Sequence, residues 1–184
     1  MFRKLSVILV IGLLAFTAAC SSKSSSTNAA SATGAAASVA ATSTPAACPT
    51  KNTESFAKTK FVADVAIAGG AFKRYIYTPA KDGKFKKGAN GRVLAFVKAA
   101  AAGALTVNRL EAAKTAAQAN PTLCKLLAEP IAKFSAAVTG LIGKAKGGSI
   151  DPSDVDNASG YLSSLHGAAS QGGAAFTDNT NTSA

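Results

Sequence analysis

Leu123, Leu127, Ile131, Phe134, Val138 and Leu141 recur at intervals of 4, 4, 3, 4 and 3 residues, the period of one face of an α-helix. Lys125, Glu129 and Lys133 stand four apart outside that stripe, the spacing at which charges on a helix surface meet. Asn120-Pro121 opens the segment as a cap and a first helical proline, and Gly147-Gly148 closes it. One helix is therefore expected from Pro121 to about Lys146, with Pro130 expected to kink or split it.

Three further segments share the period. Phe61, Val65, Ala68, Phe72 and Ile76 predict a helix over about Thr53 to Tyr77, ended by Pro79. Val93, Leu94, Phe96 and Val97, then Leu105, Val107 and Leu110, predict a second over about Gly91 to Ala119. Asp151-Pro152-Ser153-Asp154 supplies a cap, a first-turn proline and an acidic first turn for the last. Its stripe is Val155, Ala158, Leu162, Leu165 and Ala169. No segment alternates with period two, so the fold class is all-α. Much of the apolar content is Ala, which predicts a thin core. The spacings Ala66/Gly70 and Ala99/Gly103 predict close approach of the first two helices. Such spacings also occur in membrane hairpins, but Asp64 and Lys98 interrupt the two apolar runs.

The N-terminus reads MFRKLSVILVIGLLAFTAAC: two cations, an apolar run too short to span a bilayer comfortably, then small residues. This layout, with Thr17-Ala18-Ala19-Cys20 at its end, resembles the signal of bacterial lipoproteins. It departs from the usual pattern in carrying Thr where Leu is commoner. The resemblance implies cleavage after residue 19, a lipid such as palmitate on Cys20, and anchoring on the extracytoplasmic side of the cell envelope. An ordinary secretory signal or an uncleaved anchor is the other reading. Residues 20–47 are mostly Ser, Ala and Thr, with almost no large apolar side chain to bury, and are expected to form a disordered tether. The span of such a segment is roughly 30 Å. Residues 48–169 form the expected helical domain, and the Gly-, Asn- and Thr-rich residues 170–184 a disordered tail.

With Cys20 lipidated, Cys48 and Cys124 remain as one pair in an oxidising compartment, so a disulfide is expected; free or intermolecular thiols are the other possibility. The bridge joins the start of the first helix to the start of the third. That agrees with a small up-down-up-down four-helix bundle, in which both points share one end.

Few residues suit catalysis. The chain has one His, three Cys and no Trp, which leaves little for a zinc site or a His-dependent triad. No paired carboxylates stand out, and no enzyme activity, cofactor or metal is expected. His166, beside Gly167 near the last helix end, reads as a cap or surface residue. The formal charge is +11, from 20 Lys and Arg against 9 Asp and Glu. Much of that excess surrounds PAKDGKFKKGANG: Lys73, Arg74, Lys81, Lys84, Lys86, Lys87 and Arg92, with Lys98 beyond and Phe85 among them.

These residues, Phe85 included, are the candidate contact for an anionic surface: lipid headgroups, a cell-wall polymer or another envelope protein. Nucleic acid is not expected outside the cytoplasmic membrane. The expected function is that of an exported, lipid-anchored, non-enzymatic envelope protein. The alternative is a carrier holding a small apolar ligand inside the bundle.

Overall fold

The computed structural model describes residues 47–181. The signal, Cys20 and all of the tether (20–47) but its last residue lie outside the described residues. Among those described, the chain is helical and holds no strand.

The first rod is α1 (Ala57–Phe72), which runs through a π-helical turn at Lys73–Tyr77 into the short α2 (Thr78–Lys81). The expected stop before Pro79 does not occur. Proline lacks an N–H and its ring collides with the carbonyl four residues back. Here the turn just before it widens, with the Thr78 N–H donating to the Lys73 carbonyl, and helical geometry continues to Lys81. At the other end, Phe56 adopts φ 61°, and α1 begins after it rather than at Thr53.

The remaining helices are α3 (Arg92–Gln118), α4 (Pro121–Lys146) and α5 (Pro152–Gln171). Asn120 caps α4 as expected, its Oδ1 accepting from Thr122 N at 3.1 Å and Leu123 N at 2.9 Å. Pro130 does not split α4. Asp151 precedes α5 without a side-chain cap, because its carboxylate turns instead to Lys144 at 3.4 Å.

α3 packs beside both α1 and α4, and α5 packs beside α4. Along α1 and α3, Asp64 meets Arg109 at 3.3 Å, and the Thr106 hydroxyl donates to the Ala68 carbonyl at 3.3 Å. Cys48 and Cys124 are bonded, with Cα atoms 5.7 Å apart. Thr53 N donates to the Ala119 carbonyl at 3.0 Å, and Asn120 Nδ2 to Asn52 Oδ1 at 2.8 Å, beside the same junction.

The core is built on Phe61, Phe72, Ile76, Leu110, Leu123, Leu127, Ile131, Phe134, Leu162 and Leu165. Phe72 and Phe134 meet edge to face at 5.3 Å. α3 contributes mainly small residues, among them Ala99, Ala102, Gly103, Ala113, Ala116 and Ala117. The two small-residue pairs do permit close approach, but the partners differ from the expected ones. A Cβ on Gly103 would meet Ile142 of α4 at 2.5 Å. One on Gly70 would meet the Asn179 carbonyl oxygen at 1.7 Å.

That second contact corrects the reading of residues 170–184 as a disordered tail, as far as residue 181. α5 continues to Gln171, and the chain then turns back along α1. Ala174 is buried, and Asn179 N donates to the Ala66 carbonyl at 2.8 Å. Phe176 lies edge-on to Phe61 at 6.3 Å and stacks on His166 at 3.9 Å. The composition is poor in apolar side chains, as read. One phenylalanine, a seat of two glycines and polar contacts to Ala66, Lys73, Arg74 and His166 hold the segment.

Candidate functional site

The basic connection between α2 and α3 is a tight series of turns. Lys84 N donates to Pro79 O at 2.9 Å, Lys86 N to Gly83 O at 3.0 Å, and Ala89 N to Lys86 O at 3.1 Å. Gly83 at φ 70° and Gly88 at φ 83° supply left-handed positions that other residues adopt at a cost.

Two members of the candidate set serve the fold. Phe85 is only 7% exposed, packed on Phe96 with ring centroids 5.0 Å apart. It is therefore no surface aromatic: the connection folds over it and buries it toward Ile150. Arg92 is half-buried, donating through Nε to the Phe85 carbonyl at 3.0 Å and through Nη2 to the Gly148 carbonyl at 2.6 Å. Its guanidinium also lies 4.7 Å above the Phe96 ring. One side chain thus ties the basic connection to the α4–α5 connection.

Three others are engaged nearby. Lys73 pairs at 2.6 Å with Asp178, whose side chain is 5% exposed. Arg74 donates to the Thr180 carbonyl at 2.8 Å and lies over the Tyr75 ring. Lys81 pairs with Asp156 at 2.6 Å, and that hydrogen bond raises its pKa above 10.5 against a smaller opposing effect of desolvation. The sequence groups these cations with the connection, whereas the structure commits Lys73 and Arg74 to the C-terminal segment.

Lys84, Lys86 and Lys87 remain, all exposed and forming no ion pair with another described residue. Most acids at this end are already occupied: Asp156 by Lys81, and Asp151 and Asp154 by Lys144. Asp82 alone lies within the connection. Lys98 and Lys146 add two exposed cations on the adjoining helices.

Beside these lysines lies a feature absent from the candidate set. Val93, Leu94 and Val97, apolar positions by which the sequence marks the start of their helix, are 76%, 57% and 60% exposed. Only Phe96 of that group reaches the core. The signal was present: Val93 to Val97 is five apolar residues in a row, more than one helical face can bury. Two shallow grooves flank the ridge. One, of about 390 Å³, runs along Val93, Phe96, Val97, Ala145 and Lys146, and the other, of about 220 Å³, along Tyr75, Pro79, Lys84, Leu94 and Lys98.

No protein-family model, curated protein or solved structure matches the chain.

The arrangement therefore has to be judged by its chemistry. It presents cations on a braced connection, apolar side chains beside them, and no convergent catalytic groups. Among the described residues, no three His, Cys, Asp or Glu side chains gather as a metal site requires. α3 and α4 are long and apolar enough to cross a membrane by length and composition, and both also supply core residues.

Proposed function

We propose that this chain is an exported, lipid-anchored, non-enzymatic envelope protein, held on the extracytoplasmic side through Cys20 and the tether. Its helices form an up-down-up-down bundle, and the basic connection between α2 and α3 contacts an anionic surface. The observation that carries this reading is the braced set Lys84, Lys86 and Lys87. They project from a connection held by buried Phe85 and by Arg92, and the neighbouring acids Asp151, Asp154 and Asp156 are occupied by other lysines. A rigid connection presents its charges without a large ordering cost at contact.

The carrier reading has less support. Phe61, Phe72, Phe134 and the leucines of α4 and α5 fill the space between the helices, and the grooves described above lie on the surface.

Two measurements test the proposal. In the native host, mass spectrometry of the membrane fraction should find a diacylated Cys20 on a chain lacking residues 1–19, and Cys20→Ala should abolish the acylation. Retention of the full chain on anionic vesicles or purified cell wall should fall with added salt. It should fall as well in the triple variant Lys84→Glu, Lys86→Glu, Lys87→Glu. Retention unchanged by either treatment would reject the basic connection as the contact.

A further inference from the structure

Building on the reading of the basic connection as an anionic contact, we infer that Val93, Leu94 and Val97 insert into an anionic phospholipid bilayer while the surrounding lysines bind its headgroups. The structure thereby distinguishes a bilayer from a polyanionic polymer. Charge alone suffices for a wall polymer, which offers nothing to cover three large aliphatic side chains. A bilayer interface offers both, an acyl boundary for the aliphatic ridge and phosphates for the cations.

The geometry suits that occupant. Val93, Leu94 and Val97 stand one and then three residues apart in the first two turns of α3, so they make one ridge at the pole of the molecule. Lys84 and Lys98 share the groove on one side of it, and Lys146 lines the groove on the other. Lys86 and Lys87 stand on the adjoining connection. Cations at the flanks of an apolar ridge are what shallow insertion requires, since long lysine stems reach headgroups while their neighbours go deeper.

The ridge is also held firmly. Phe96, one residue before Val97, is clamped between Phe85 and the Arg92 guanidinium, which fixes the rotation of α3 and keeps the three side chains outward. The pole lies far from the disulfide: the 27 residues of α3 span about 40 Å. Insertion is thus a second attachment, separate from any lipid on Cys20.

The test uses the chain from Ser21 onward, so that neither the apolar signal nor an acyl group contributes. Because the chain contains no Trp, Val93→Trp supplies a single fluorescent reporter in the ridge. On phosphatidylglycerol vesicles its emission should shift to the blue and be quenched by brominated acyl chains. On phosphatidylcholine vesicles it should do neither. Leu94→Ser with Val97→Ser should weaken partitioning about tenfold. Each Lys→Glu change among Lys84, Lys86 and Lys87 should weaken it about fivefold or more. All five positions are exposed, so melting temperatures should stay near that of the parent.

Binding that is lost in the lysine variants but unchanged in the serine variant, with no blue shift, overturns insertion and leaves the anionic contact standing. Retention on purified cell wall without retention on phosphatidylglycerol overturns it in the same way. Retention on neither surface overturns both readings.

Discussion

Gly70 lies directly beneath Asn179: a Cβ at that glycine would sit 1.7 Å from the Asn179 carbonyl oxygen and 2.2 Å from its carbonyl carbon. Gly69 does the same for Asp178, whose Oδ1 would lie 1.9 Å from a Cβ. The C-terminal segment approaches α1 as closely as backbone allows, and only residues without side chains give it room.

Gly70→Ala should therefore separate helix stability from segment docking. Alanine favours an isolated helix by about 1 kcal/mol over glycine. Here it collides with backbone that cannot rotate away. Amide exchange in residues 174–181 should accelerate while that of α1 stays protected. Unchanged protection in the segment would refute the close seat.

Arg92 and Lys86 are adjacent to the same connection but should behave as different kinds of residue. Arg92→Met removes hydrogen bonds to two carbonyls and a cation stacked on Phe96, and should cost about 1–3 kcal/mol. The loss should show as faster exchange in residues 83–91 and a lower melting temperature. Lys86→Glu should leave both near their parent values. Equal effects from the two would mean that Arg92 does not brace the connection.

Cys48 and Cys124 are 76 residues apart in sequence, so their bond restricts a long stretch of the unfolded chain. Replacing both by Ser should cost about 3–4 kcal/mol, lowering the melting temperature by roughly 10–15 °C. Helical content measured by circular dichroism at 20 °C should persist, because the large apolar side chains of the core are untouched.

Two surface ion pairs each make a small contribution to the pH response, one at each extreme. The hydrogen bond that Lys144 donates to Asp154 raises the Lys144 pKa above 10.5, with desolvation opposing it and the charges of Asp154 and Asp151 assisting. A cation held more firmly in the folded state stabilises fully below pH 10.5 and loses that contribution as pH rises further. The Glu129 pKa is lowered from 4.5, first by its hydrogen bond with Lys133 and then by that charge, so its contribution fades as pH falls below 4.5. Both pairs are exposed, so the effects are small. The melting temperatures of Lys144→Met and the parent should differ most at neutral pH and converge above pH 10.5. A constant difference across that range would discount the ion pair.

The helices were legible because their stripes are strong. α4 begins and ends where Asn120-Pro121 and Gly147-Gly148 place it, and Cys48–Cys124 forms as parity suggested. The first rod was misjudged at both ends. A π-turn absorbs Pro79, and left-handed Phe56 delays the start of α1. Neither has a sequence signature that separates it from an ordinary helix end. Within the basic set, Phe85 and Arg92 looked like surface residues because their partners, Phe96 and the Gly148 carbonyl, are supplied by other parts of the chain.

The sequence by itself determined the helical class, the apolar faces of α1, α4 and α5, the cysteine pair and the place where cations collect. Those properties depend on neighbours within a turn or two, or on counting. Tertiary structure alone decided which apolar residues of α3 stay outside, since Val93–Val97 is apolar on every side and its rotation is set by what clamps it. Here Arg92 over Phe96 is the clamp. Tertiary structure also decided the fate of the C-terminal segment: two glycines on α1, some hundred residues earlier, provide a seat that no local pattern in residues 172–181 announces.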